Sequence, residues 1–108
     1  MKLKIHKNIE LFKTPEYQLW FKKQTFKEQI QISERLSKIE TDSYFGDHKG
    51  VSDVIWELKW KNGRRVYYAY IAKLDILILL GGNKNGQDKD IKRSKSIFKK
   101  YIGIHSEK

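Results

Sequence analysis

Two short segments carry chemically useful side chains at alternate positions. WELKWK holds Glu57 and Lys59, and RRVYYAY holds Arg65 and Tyr67. A second set, Lys84, Gln87 and Asp90, follows the apolar run DILILL within GGNKNGQDKD. If the two segments are neighbouring strands, residues two apart share a sheet face, and the loop after a third strand delivers its polar groups to the rim of that face. Cations beside an acid, flanked by aromatic rings, make a surface suited to handling nucleic acid. The overall charge agrees: 23 Lys plus Arg stand against 13 Asp plus Glu, a formal net charge of +10 spread along the chain. Such a chain attracts polyanions.

The turn Lys61-Asn62-Gly63-Arg64 decides which side chains share a face. A two-residue loop would pair Lys61 with Arg64 and mix Glu57 and Lys59 among Val66 and Tyr68. A three-residue loop ending in a left-handed glycine pairs Trp60 with Arg64 and Lys59 with Arg65. Leu58, Trp60, Val66, Tyr68 and Tyr70 then form an apolar face, and Glu57, Lys59, Arg65 and Tyr67 form a polar one. The second register is expected. Its polar face is expected to be open, so that alanine at Arg65 or Lys84 leaves stability almost unchanged.

The rest of the chain supplies the scaffold. Residues 2–13 alternate around Leu3, Ile5, Ile9 and Leu11, with a slip near Asn8, and predict a first strand. Thr14-Pro15-Glu16 combines an N-cap, a proline at the first helical position and an early acid, which starts a helix. Phe26, Ile30, Ser33, Leu36 and Ile39 extend a helical stripe to about Thr41, and residues 42–50 read as a loop. Strands are predicted over residues 51–61, 64–73 and 75–80, the last broken by Gly81-Gly82. A final helix carries Ile91, Phe98, Tyr101 and Ile102, with Asp88 or Asp90 near its start. The expected fold is one α+β domain, residues 1–108, in the order β-α-α-β-β-β-α, an antiparallel-rich sheet with helices on one face.

Several site types are disfavoured. No cysteine is present, so no disulfide or thiolate metal site is expected, and no cofactor is implied. His6, His48 and His105 lack metal-ligand spacing, although His48, in the loop before the sheet, is placed to approach a substrate. GGNKNG lacks the ending of a phosphate-binding P-loop. The N-terminus shows no signal-peptide core, and the apolar run Ile76 to Leu80 is too short to span a bilayer. A cytoplasmic protein without a membrane partner is expected.

The segments TPEYQLWFKK, YFGDHKGVSD, WELKWKNGRRVYYAY and LILLGGNKNGQDKDIKRSK, in that order, resemble the RelE/ParE superfamily of toxin–antitoxin proteins. Within it they are similar to the HigB-like branch of phage-type addiction-module killer proteins. The resemblance implies a toxin whose ribosome-dependent relatives cut messenger RNA without metal. It assigns catalytic positions to Arg65, the phosphate-gripping arginine, Lys84, the cation after the last strand, and Lys59. Glu57, beside Lys59 and Arg65 on the polar face, is expected from its charge to be either the base or an orienting partner. Tyr67, Gln87, Asp90, His48 and Arg64 are expected RNA contacts. Asp90 falls where some members have a tyrosine. The resemblance also implies a cognate helix-turn-helix antitoxin, contact with ribosome and messenger RNA, and operator DNA binding only through the antitoxin complex. The ParE type shares the fold and inhibits DNA gyrase without cleavage, and a non-catalytic RNA- or partner-binding module would look similar.

Overall fold

The computed structural model describes residues 8–106. Among them, β1 (Glu10–Lys13), β2 (His48–Gly50), β3 (Trp56–Lys59), β4 (Arg64–Ala72) and β5 (Asp75–Asn83) form one sheet in the order β1-β5-β4-β3-β2. The edge pair β1 and β5 is parallel, and the other pairs are antiparallel. Three helices, α1 (Pro15–Lys22), α2 (Phe26–Asp42) and α3 (Gln87–Ser106), and a 3₁₀ turn at Lys84–Gly86 complete the fold. The α+β class holds, as does the predicted order, to which β2 is added. Leu3, Ile5 and His6 lie outside the described residues, as does the His105 side chain. No helix among the described residues is long and apolar enough to cross a membrane.

The helix start at Thr14 is built as expected and also ties helix to sheet. The Thr14 hydroxyl accepts from the Tyr17 amide at 3.0 Å and donates to the Leu79 carbonyl at 2.8 Å. In α2, Thr25 and Glu28 close a reciprocal capping box. The buried stripe of α2 is Ile32, Leu36 and Ile39, spaced four and three residues apart, which keeps it on one side of the helix. Phe26 and Ile30, expected in that stripe, point outward, Phe26 at 78% exposure. A spacing of six from Ile30 to Leu36 falls off the helical repeat.

The helices do not all lie on one face of the sheet. α1 and α2 cover Leu58, Val66, Tyr68, Ile76 and Ile78 with Tyr17, Ile32, Leu36 and Ile39. Against the other face, α3 sets Ile97 and Phe98 over Ile55, Tyr67, Ala69, Leu77 and Leu79. The cause is in the strands themselves: DILILL is apolar at both parities, so β5 needs cover on both sides.

Two further expectations change. Residues 42–50 are not all loop: α2 reaches Asp42, Ser43 caps it at φ +55°, and His48–Gly50 pair with β3. All three β2 residues are exposed, so no apolar alternation announced the strand. The glycine pair does not break the last strand, because β5 continues to Asn83. A Cβ at Gly81 would lie 2.2 Å from the Trp20 ring, and one at Gly82 would lie 2.1 Å from an Asp90 carboxylate oxygen. Each glycine lets a neighbour press onto the strand.

Candidate nucleic-acid interface

The hairpin closes in the three-residue register. Lys59 pairs with Arg65, Glu57 with Tyr67 and Leu58 with Val66, and Trp60 and Arg64 close the loop through a 3.0 Å backbone bond. Gly63 sits at φ +99°, where a side chain would be strained, and the Asn62 side chain accepts from the Arg64 amide at 2.9 Å. Arg65 in turn pairs with Gly82 of β5. Glu57, Lys59, Arg65 and Tyr67 therefore share one face, with the end of β5 and the start of α3 beside them.

This face is not open throughout. Glu57 and Tyr67 are both at 0% exposure, while the Arg65 side chain keeps 11%. Glu57 Oε1 accepts from Gln87 Nε2 at 3.0 Å and lies 3.6 Å from Arg65 Nε. Arg65 Nη1 donates to the Arg64 carbonyl at 3.2 Å. Glu57 Oε2, Arg65 Nε and the Tyr67 hydroxyl have no hydrogen-bond partner among the described residues. Burial, reinforced by the charges of Glu57 and Asp90, pushes the Tyr67 phenol far up, so it stays neutral. Tyr67 thus lies under the surface, where it cannot stack on a base.

Around this buried knot stand accessible groups. The Lys84 amide donates to the Gly63 carbonyl at 2.8 Å, and its methylenes run beside Gly63. That contact fixes the first residue after β5 against the β3–β4 turn. The Lys59 and Lys84 ammonium groups make no ion pair among the described residues. Asp90 lies over Gly82 and beside Gly86, and burial holds its carboxyl above the ordinary value. The arrangement is one braced guanidinium with free cations on either side, suited to a phosphate whose negative charge grows.

Two expected contacts lie elsewhere. His48 pairs with Leu58 and so faces the opposite side, its ring between Phe45 at 5.2 Å and Trp56 at 5.9 Å. Arg64 is one residue out of phase with Arg65. It is 95% buried over the Trp60 ring at 5.3 Å, with Glu28 at 3.5 Å. Neither lies on the face that Glu57, Lys59 and Arg65 share. In their place β2 brings Lys49 opposite Glu57, on the polar face. Arg35 is a second residue that periodicity did not reveal. It donates to the carbonyls of Lys59, Phe45 and Asp47 and covers Trp60 at 4.4 Å, tying the segment before β2 to the end of β3. Among the described residues no three His, Cys, Asp or Glu side chains are grouped to hold a metal ion.

No family model matches the chain. An uncharacterized protein of Haemophilus influenzae (strain ATCC 51907 / DSM 11121 / KW20 / Rd) is 33% identical over 90 residues, 81% of this chain and 90% of that protein. A mutant of the E. coli toxin RelE in the free state superposes with a TM-score of 0.65 at 14% identity, over 83% of this chain and 98% of that one. In the E. coli RelBE toxin–antitoxin complex, the matched chain gives a TM-score of 0.56 at 16% identity, over 69% and 95% of the two chains. The isolated RelE toxin gives 0.57 at 15% identity, over 79% and 97%. At such identities the likeness is one of fold. The chain therefore belongs to the family of the Haemophilus influenzae protein and has the RelE toxin fold.

Proposed function

We propose that the chain is the toxin of a type II toxin–antitoxin module, of the HigB-like kind, and that it cuts messenger RNA on the ribosome in the cytoplasm. The observation that carries this is the Arg65 guanidinium, braced from behind by buried Glu57 and flanked by the free ammonium groups of Lys59 and Lys84. The reaction is an internal transfer. The ribose 2′-oxygen bonds to the neighbouring phosphorus as it loses its proton, the bond from phosphorus to the 5′-oxygen breaks, and that oxygen takes up a proton. A cyclic phosphate and a 5′-hydroxyl result, with no metal required. Negative charge builds on the pentacoordinate phosphorus, and cations fixed beforehand stabilise that state more than the ground state. Glu57, fully buried, holds Arg65 in place together with Gln87 and does not meet the substrate.

Such a toxin needs a neutralising partner, and the RelE fold occurs in a toxin–antitoxin complex from E. coli. A helix-turn-helix antitoxin that carries the complex to operator DNA fits a +10 chain. The test is primer extension on messenger RNA from translating ribosomes after induction, with DNA supercoiling by gyrase measured in parallel. Growth should arrest and recover when the antitoxin is co-expressed, and RNA cuts should appear. Exposed Lys84 tests the site without disturbing the fold, and Lys84→Ala should lower cleavage roughly 10²-fold. Intact RNA with blocked supercoiling would replace this function with gyrase inhibition.

A further inference from the structure

We propose that Lys49 binds a backbone phosphate next to the one held at Arg65, so that the RNA strand crosses β3 towards the β2 edge of the sheet. This rests on the RNA-cleaving function proposed above and names a contact that function did not include.

Three observations carry it. The first is register: Lys49 is directly opposite Glu57, which is opposite Tyr67, and Lys59 and Arg65 form the next pair on the same face. Two strand spacings across and two residues along place the Lys49 Cα about 12 Å from that of Arg65, a gap that two long basic side chains reaching towards one strand can share. The second is availability. Lys49 is exposed and makes no ion pair among the described residues. Glu57, the acid across from it, is engaged instead with Arg65 and Gln87. The third is the charge beside it. Asp47, two residues earlier, acts on Arg35 under the other face, and its carbonyl accepts from Arg35 at 2.7 Å. A lysine on an edge strand also discourages pairing with a foreign sheet. That role requires no RNA, and it predicts no change in salt dependence when the charge is removed.

The experiment measures binding of a single-stranded RNA oligonucleotide, 2′-O-methylated so that it cannot be cut, by fluorescence anisotropy between about 50 and 200 mM salt. Each phosphate contact on a single strand contributes about 0.7 to the slope of log affinity against log salt. Lys49→Gln should reduce the slope by about that amount and weaken binding several-fold, and Lys49→Arg should restore both. Lys38→Gln, which removes the same charge from the exposed side of α2, should leave the slope unchanged. In the ribosome assay Lys49→Gln should raise KM and leave kcat alone. An unchanged slope for Lys49→Gln, or an equal loss for Lys38→Gln, overturns the proposal even where the wild type cuts messenger RNA. A wild type that neither binds the oligonucleotide nor cuts messenger RNA overturns it together with the nuclease function.

Discussion

Arg65 Nε lies 3.6 Å from Glu57 Oε1, and Glu57 is wholly buried. Arg65, with 11% of its side chain exposed, is therefore both the part of this pair that reaches the surface and the counter-charge of a fully buried acid. The expectation that Arg65 can be removed without loss of stability is overturned. Breaking a buried pair from one side leaves an uncompensated charge and costs about 3 to 5 kcal/mol. Arg65→Ala should lose that much in urea unfolding, and adding Glu57→Gln should recover most of it. Wild-type stability in Arg65→Ala would mean that the 3.6 Å pair with Glu57 does not hold this part of the fold together.

Thr14 joins α1 to β5 with a single hydroxyl. Thr14→Ala removes the cap and leaves the Leu79 carbonyl short of a donor at a residue only 1% exposed. The two losses together should cost about 2 to 3 kcal/mol. Thr14→Ser keeps both bonds and should stay close to wild type. Equal melting temperatures for the two variants would refute this account of the junction.

Gly81 lets Trp20 lie flat on β5. Gly81→Ala puts a methyl into the ring and should destabilise by about 1 to 3 kcal/mol through overpacking. At Gly82 the obstacle is the Asp90 carboxylate, the end of a side chain that can turn aside. Gly82→Ala should therefore keep more stability and lose more cleavage. Thermal melts and primer extension on both variants give the comparison, and the opposite ranking would contradict the packing described.

The 2.6 Å pair between Glu16 and Lys100 fastens α3 to α1 and makes stability depend on pH. Burial pushes the Glu16 carboxyl up, but the Lys100 hydrogen bond and the Lys100 and Arg93 charges outweigh it and hold it below its ordinary 4.5. The contribution is present above pH 4.5 and lost as the pH falls through the folded value. Lys100 is raised above 10.5 by the same bond, so its share persists below 10.5 and is lost as the pH rises through the folded value. Melting curves of Lys100→Gln should show a weaker decline on both sides. Unaltered acid and alkaline limbs would show that the pair is not coupled to folding.

The parts of this molecule that follow local rules could be read from the chain. Asn62-Gly63 and the alternation on either side fixed the β3–β4 register, and with it the shared face of Glu57, Lys59, Arg65 and Tyr67. Thr14-Pro15-Glu16 fixed the start of α1. What stayed hidden depends on distant partners. An acid in a strand reads as solvated, and the burial of Glu57 follows only from Gln87, thirty residues later, and from α3 closing over that face. β2 has no apolar side chain, so its pairing, the reversal of His48 and the placement of Lys49 all came from tertiary structure. Arg64 and Arg65 are adjacent and chemically identical, and parity alone sends one into the α2 packing and the other to the site.

The parallel pairing of β1 with β5 sets an order of assembly during translation. Thr14 and Leu79, joined across this junction, are separated by 65 residues. At about 5 to 20 residues per second, synthesis of that interval takes roughly 3 to 13 s. Throughout it β1 lacks its neighbour β5, the strand it pairs with among the described residues. Gln87 and Asp90 are made later still. The polar rim, to which Gln87 contributes through its bond to Glu57, therefore takes shape only after synthesis has passed β5 and entered α3.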